Sequence, residues 1–401
     1  MVGWLWFLCM LFLASTFFHV PLLLWTLYLS AGIYIIIRIW NWRVIKALDG
    51  QRILNHDHAF LSEEVPVTLT LSNPTFFPVL WLKTQEILPS NLATTGQTAT
   101  VVGIPPKRQI KLHYQILCRK RGYYLIGPLG IETGDFLGFE EQRKTLQNIT
   151  SLIVYPKIVP LEKLFLASRE PFGVIKSQRR IFADPSRFIG VRDYHRGDSL
   201  RTIHWKTTAR VGKLQVKKYE PAITMTNLIF LNLNYDEFVG PRKEYQGEVG
   251  ITIAASLANY FCKARQLVGL STNGMDPLAN QEERKNIPVT ILPEKGAGHL
   301  MKILEVLARI RLETTFSFVN LMDLEIMRVP WGASLIVITP SDTQELRQVL
   351  YGFRRLGYNV TLILDQESAE ITLMKNKYSL MGIGVYAVAK EEEIGSLAFQ
   401  K

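Results

Sequence analysis

Phe188–Glu220 reads FIGVRDYHRGDSLRTIHWKTTARVGKLQVKKYE, and this stretch divides the chain. Before it, apolar residues recur with period two. After it, short apolar runs alternate with helical stripes. The stretch itself has strand character over Phe188–Tyr194 and a turn at His195–Gly197. Asp198 or Ser199 can cap a short helix from Leu200 to about Ala209, which Gly212 ends, and Leu214–Tyr219 is again extended. A strand–helix–strand bridge between two domains is expected.

The chain has 401 residues and a net charge of +11, concentrated in one block. Residues 151–220 hold 15 Lys+Arg against 6 Asp+Glu. Such a block attracts phosphate groups, anionic lipid, acidic protein faces or nucleic acid. Nucleic acid is disfavoured, because the aromatics are not interleaved as a stacking platform. Cys9, Cys118 and Cys262 are far apart and lack metal-ligand spacing, which fits packing residues in a reducing compartment.

Within the block several chemistries compete. Asp193, His195, Ser199 and His204 are the ingredients of a hydrolytic constellation, if folding brings them together. His195 and His204 with a carboxylate would make a zinc site with two nitrogen ligands. Arg192, Arg196, Arg201, Lys206 and Arg210 suit anion binding. The plainer reading is a structural joint, with Asp193 and Asp198 paired to arginines and Trp205 packed inward.

Upstream, residues 2–18 and 20–37 contain no Asp, Glu, Lys or Arg, and His19-Val20-Pro21 lies between them. Each is about long enough to cross a bilayer core of roughly 30 Å, so a transmembrane hairpin is expected over 1–48. Arg38, Arg43 and Lys46 follow the second span, which would hold both termini and the following domains in the cytoplasm. Residues 49–156 read as an antiparallel β-sandwich, with alternation at Pro66–Ser72 and Ile110–Cys118 and strands at Val79–Lys83, Tyr123–Ile126 and Leu152–Tyr155. Two turns stand out there, Arg119–Tyr123 and Gly134–Gly138, either as turn chemistry or as a docking surface.

Downstream of the joint (157–224), residues 225–401 read as a doubly wound α/β domain. Its strands are expected at Asn227–Leu233, Val268–Thr272, Leu335–Ile338, Val360–Leu364 and Gly384–Val388. Its helices are expected over Val249–Leu267, His299–Arg311 and Thr343–Leu356, the last capped by Ser341-Asp342. Ligands of such sheets bind beyond the strands' carboxyl ends, which draws attention to Asn232-Leu233-Asn234-Tyr235-Asp236 and Thr339-Pro340-Ser341-Asp342, either as loop and cap residues or as oxygen ligands for Mg²⁺. Gly247 and Gly250 are weak evidence for a nucleotide site, since no phosphate-binding glycine loop precedes them.

The central stretch resembles the bacterial "domain of unknown function 58" family, related to von Willebrand A-like proteins. The family's signature is similar to G-x-R-x-Y-x-x-G-D-x-x-R-x-I-x-W-x-x-x-A-R. Gly190, Arg192, Tyr194, Gly197, Asp198, Arg201, Ile203, Trp205, Ala209 and Arg210 match it in register, and Glu220 follows. The resemblance implies a bacterial membrane protein with a hairpin, a β-sandwich and a von Willebrand A-like domain. It also implies a protein-interaction or assembly factor working with a MoxR-type AAA+ ATPase, with no known catalytic residue and no cofactor. The interface would run through Gly190, Arg192, Tyr194, Gly197, Asp198, Arg201, Trp205, Lys206, Arg210 and Glu220. A metal-ion-dependent adhesion site begins D-x-S-x-S, whereas Asn232, Asn234 and Asp236 occupy that register, so the resemblance implies a degenerate module. Anionic lipid, and an enzyme or phosphate-binding protein using the Arg/His/Asp-rich segment, stand as alternatives.

Overall fold

The computed structural model describes residues 6, 10, 12–13, 21–95, 99–135, 141–161, 183–221, 226–278, 288–313, 316–365 and 371–398. For 21, 23–24, 183–189, 219–221, 371–372 and 396–398 it describes the backbone alone. The chain forms two compact units: Met1–Lys157 with Leu304–Ile310, and Ile158–Ile303 with Arg311–Lys401.

The first unit begins with α1 (Pro21–Ala47). Its strands are β1 (Asp49–Leu54), β2 (His58–Ala59), β3 (Glu64–Asn73), β4 (Val79–Glu86), β5 (Leu92–Thr95), β6 (Ala99–Ile104), β7 (Arg108–Cys118), β8 (Gly122–Ile126), β9 (Leu129–Gly134), β10 (Glu141–Leu146) and β11 (Thr150–Val154). Two antiparallel four-stranded sheets, β1-β3-β7-β5 and β10-β9-β4-β6, enclose one core, and β2-β11-β8 form a third sheet. The period-two pattern of β3 sends Val65, Val67, Leu69 and Leu71 inward, where they meet Ile116 of β7 and Leu82, Ile104 and Ile131 of the facing sheet. Burial pushes the Cys118 thiol up to about 11, so it serves as a packing residue.

The transmembrane hairpin is overturned. Among the described residues no helix is long and apolar enough to cross a membrane. The expected first span, residues 2–18, lies outside the described residues except for Trp6, Met10, Phe12 and Leu13. Beyond the expected second span (20–37), the end of α1 is packed into the core of the first unit. Val44 and Leu48 sit in the core of the first unit, and Trp40 Nε1 donates to the Pro78 carbonyl (3.2 Å). Lys144 Nζ caps the helix by donating to the carbonyls of Lys46 (3.0 Å) and Leu48 (2.7 Å). The last turns of α1 are thus committed to packing against β-structure. The placement of the protein in a cell membrane, with cytoplasmic termini, rested on the hairpin and falls with it.

Arg119–Tyr123 is also less open than a docking turn requires. Arg121 Nη1 donates to the carbonyls of Leu307, Ala308 and Ile310, a set of orphan acceptors at a helix end. Of Gly134–Gly138, residues 136–138 lie outside the described residues.

In the second unit, β12 (Ala183–Asp193) and β13 (Gln215–Pro221) form a two-stranded antiparallel ribbon, with α2 (Trp205–Val211) between them. A six-stranded sheet follows. Its strands are β14 (Thr226–Leu231), β15 (Leu267–Thr272), β16 (Val289–Glu294), β17 (Ser334–Thr339), β18 (Asn359–Leu364) and β19 (Gly384–Ala387). The order is β16-β15-β14-β17-β18-β19, parallel except for β16. The crossovers use α3 (Lys243–Lys263), α4 (Ala297–Arg309), α5 (Phe318–Ile326), α6 (Gln344–Arg355) and α7 (Ile371–Leu380). Every residue of β14 is buried, as expected for a strand covered on both faces. The order of strand addition reverses between β14 and β17, so the loops beyond their carboxyl ends flank the switch point of the sheet.

Candidate functional site

The ribbon and its intervening turn carry the signature. Arg192, near the end of β12, points back at the turn and makes a two-pronged pair with Asp198, Nη1 to Oδ2 and Nη2 to Oδ1, both 2.7 Å. Asp198 Oδ2 also accepts from the backbone N of His195 (3.0 Å). One carboxylate therefore closes the loop His195–Asp198, and Gly197 adopts the positive φ of 105° that the reversal needs. His204 caps α2, its Nδ1 accepting from Thr207 N (3.2 Å), and Gly212 ends the helix at φ 71°. Ile203 and Val216 are bridged and buried, which fills the inside of the small fold.

The expected joint is corrected in two places. Asp198 pairs with an arginine, but Asp193 Oδ1 accepts from Gln215 Nε2 instead. Trp205 does not pack inward: it is 67% exposed. The reason is geometric, because α2 has seven residues, no third strand among the described residues pairs with the ribbon, and Ile203 and Val216 already take the interior. Leu200, Val211 and Leu214 are exposed beside it in sequence. Arg196, Arg201, Lys206 and Arg210 are exposed too, and among the described residues no carboxylate pairs with them. Tyr194 is half-buried, and its backbone N donates to Leu214 O (3.0 Å). Gly190 has open space where a Cβ would be. Glu220 lies in β13, and its side chain is outside what is described.

The hydrolytic constellation is not assembled. His195 Nδ1 faces the Asp193 carbonyl (3.0 Å) and Arg192 Nη1 (3.2 Å), while His204 Nδ1 is engaged with Thr207. No hydrogen bond among the described residues joins Ser199 to either histidine. Nor do the described residues contain a group of three His, Cys, Asp or Glu side chains arranged to hold a metal ion.

A second polar cluster lies beyond the carboxyl ends of β14 and β17. Asn232 is fully buried; its Nδ2 donates to Glu237 Oε2 (2.7 Å) and Thr339 Oγ1 (3.1 Å). Its Oδ1 accepts from Asn273 Nδ2 (3.0 Å) and from the backbone N of Asn234 (3.1 Å). Asn234 Nδ2 reaches Glu237 Oε1 (3.3 Å), and Ser341 Oγ reaches Glu237 Oε2 (3.4 Å). The cluster satisfies itself: amide hydrogens meet the one carboxylate where a cation would otherwise be required. Asp236 is exposed and takes no part through its side chain in these bonds. Asp342 is not a helix cap. It pairs with Arg347 (3.1 Å) and accepts from the Tyr378 hydroxyl (2.5 Å), and Thr343 caps α6 by accepting from Leu346 N (3.2 Å).

Three features escaped sequence reading. Glu237 and Asn273 complete the Asn232 cluster, beside the expected Thr339 loop. Asp365, directly after β18, is fully buried with neither carboxyl oxygen hydrogen-bonded, and burial holds it well above the ordinary carboxylate range. A Cβ on Gly250 of α3 would stand 2.7 Å from Asp365 Oδ2, so that glycine answers a packing need rather than a phosphate. In the first unit, Arg52 of β1 reaches across the core to Glu86 of β4 (Nη2–Oε1 3.0 Å), both almost fully buried. Arg52 Nη1 also donates to the carbonyls of Ile126 and Asn148 (2.8 Å each), and the Tyr114 hydroxyl donates to Glu86 Oε2. Glu86 and Tyr114 line a cavity of about 310 Å³ with Leu69, Thr84, Thr100, Leu112 and His113.

Against known families, residues 190–329 match the model described as "Protein of unknown function DUF58", beginning at Gly190 of the signature. The "Uncharacterized protein YeaD" of Bacillus subtilis (strain 168) is 25% identical over 268 residues, 66% of this chain and 63% of that protein. The match thus takes in under two thirds of that relative's length. Among solved structures, an Escherichia coli alpha-2-macroglobulin fragment aligns with 28% of this chain and 17% of its own, at 14% identity and a TM-score of 0.25. A CARDB domain from Pyrococcus furiosus aligns with 27% of this chain and 91% of its own, at 14% identity and a TM-score of 0.21. Scores of that size carry no inference.

Proposed function

We propose that this chain is a protein-interaction factor that receives an acidic partner on the β12–β13 ribbon. The observation that carries this is the ribbon's own incompleteness. A two-stranded ribbon is marginal in water by itself, and among the described residues no further strand joins this one. It leaves Trp205, Leu200, Val211 and Leu214 exposed among cations. Residues 190–220 hold eight Lys+Arg against three Asp+Glu, so the matching surface is acidic. Tryptophan and arginine are the side chains that most often carry binding energy, and an exposed Trp205 amid unpaired arginines has that composition.

The second unit we read as a degenerate von Willebrand A-like module. The sheet order supports this, as does the self-satisfied Asn232 cluster at its switch point. The resemblance of the signature further supports an adaptor or assembly role beside a MoxR-type AAA+ ATPase.

The test is co-purification of the full chain from its own cell at low and high salt, with wild type, Trp205→Ala and Arg201→Glu/Arg210→Glu. Retention of an ATPase by wild type, lost with salt and in both variants, is expected. Equal retention by all three would refute the ribbon as the contact. A second reading, anion binding by Arg196, Arg201, Lys206 and Arg210, rests on the same unpaired cations. It is separated by Trp205→Ala, to which binding of inorganic phosphate or anionic vesicles would be indifferent.

A further inference from the structure

Three consecutive turns at the amino-terminal edge of the main sheet carry large apolar residues in water. The turn from α5 to β17 presents Met327 (90% exposed) and Trp331 (66%). The next, from α6 to β18, presents Leu356 (60%), and the next, from α7 to β19, presents Leu380 (91%). β17, β18 and β19 are adjacent and parallel, so these turns lie side by side, about 4.8 Å per strand. Turns of this kind are ordinarily polar, and an apolar row across three of them is a surface built for contact.

The row is also held in place. Trp331 Nε1 donates to the Leu356 carbonyl (2.7 Å), an acceptor at the end of α6. The indole lies over Gly357, where a Cβ would come within 2.8 Å of Nε1, and Gly357 has a φ of 95°. The ring is therefore fixed in orientation while most of it stays in water. An aromatic anchor ordered before binding loses little entropy on contact.

Charge selects the occupant. Residues 327–333, 354–358 and 380–383 contain Arg328, Arg354 and Arg355 and no acidic residue. Arg354 is spent on the Tyr358 carbonyl (3.2 Å) and Asn359 Oδ1 (3.0 Å), and Arg328 pairs with Glu325 (3.2 Å). Arg355 lies over the Tyr351 ring, which leaves its guanidinium facing solvent. A second copy of this surface would set one Arg355 against another with no carboxylate from these turns, whereas an acidic segment with apolar side chains meets both the row and the Arg355 guanidinium.

We propose that the amino-terminal edge of β17–β19 is a docking site for an acidic, apolar segment of another protein, anchored on Trp331 and Leu380. None of its residues lies in the ribbon, so it stands without it. The test places a photo-crosslinking benzoylphenylalanine at Leu380 in the full chain, irradiates the intact cell, and reads the crosslinked peptide by mass spectrometry. An acidic, apolar segment of another protein is expected. Crosslinks to a second copy, to a basic segment or to no protein would overturn the proposal.

The crosslinked segment, synthesised as a labelled peptide, is then titrated onto the purified full chain by fluorescence anisotropy. Leu380→Glu, at a position almost wholly in solvent, is expected to weaken binding by about tenfold or more. Trp331→Phe, which keeps a ring but loses its tether, should weaken it several-fold, and Trp205→Ala should leave it unchanged. Equal affinity of wild type and Leu380→Glu would overturn the proposal, and dependence on Trp205 alone would move the contact to the ribbon.

Discussion

Asn232→Asp tests how the switch point of the second unit is neutralised. The substitution is nearly isosteric, and it replaces an N–H donor 2.7 Å from Glu237 Oε2 with a carboxylate oxygen, at a fully buried position. Two outcomes are open to the pair. If both carboxyls stay ionised, about 4 Å between charge centres at an effective dielectric of 20 costs ~4 kcal/mol. If one takes a proton, lifting a carboxyl from its ordinary pKa of about 3.9 to pH 7 costs ~1.4 kcal/mol per unit, again ~4 kcal/mol. The bond to Thr339 Oγ1 goes as well, worth about 1 kcal/mol.

The sign follows from linkage. The pair's proton affinity is raised in the folded state, so the variant is closest to wild type below about pH 4 and falls behind as pH rises. By the protonation route the ionic part of the deficit at pH 5 is only ~1.5 kcal/mol. Urea unfolding of wild type and variant at pH 5 and pH 7 measures it. A deficit that is the same at both pH values, or absent, would refute the view that amide hydrogens stand where a cation would sit. The same view expects millimolar Mg²⁺ to restore stability to the variant and to leave wild type unmoved, since two carboxylates with Asn234 and Ser341 nearby offer oxygen ligands.

Further outcomes follow from the other buried polar groups. Glu86→Gln should destabilise the first unit by about 3–5 kcal/mol, because Arg52 is left in the core with its charge uncompensated; urea denaturation followed by near-UV circular dichroism reads it. Asp365→Asn should gain on wild type as pH rises above about 4 and towards the raised folded pKa, because wild-type stability is complete below the unfolded pKa and is lost through that window; parallel melts from pH 4.5 to 8 would show the gap widening. Gly250→Ala should cost about 1–3 kcal/mol through overpacking against Asp365, and less in an Asp365→Ala background, so additive losses in the double mutant would contradict the contact. Asp198→Asn should loosen the His195–Asp198 loop without unfolding the sheet, seen as faster limited proteolysis at Arg196 with an unchanged global melting temperature.

The sequence determined what depends on neighbours along the chain. Alternation in Pro66–Ser72 located β3, because side chains of a strand face one core on one side. The apolar run at Asn227–Leu233 located β14, because a strand covered on both faces has no polar side. Gly212 marked the end of α2, because the reversal needs a positive φ. The basic, tryptophan-bearing character of residues 190–220 was likewise plain from residue type alone.

Tertiary structure decided what depends on which surfaces meet. Apolar residues before Arg38 suggested a bilayer span, and nothing local showed that the helix would run on to Ala47 and pack its end, Val44 and Leu48, on β-structure. Trp205 suggested a core residue, but Ile203 and Val216 fill the inside of the ribbon's small fold and its ring lies in water. The Thr339 loop was expected beside Asn232, but Asn273 was not visible as a partner, because it reaches Asn232 only through the order in which the parallel strands are laid down, and nothing local marked Glu237 as the carboxylate that Asn232 holds. Asp365 looked like any polar residue after a strand until the approach of Gly250 closed it off from solvent. Periodicity is a property of the backbone and can be read locally. Burial and pairing are properties of the packed layers, and no local pattern contains them.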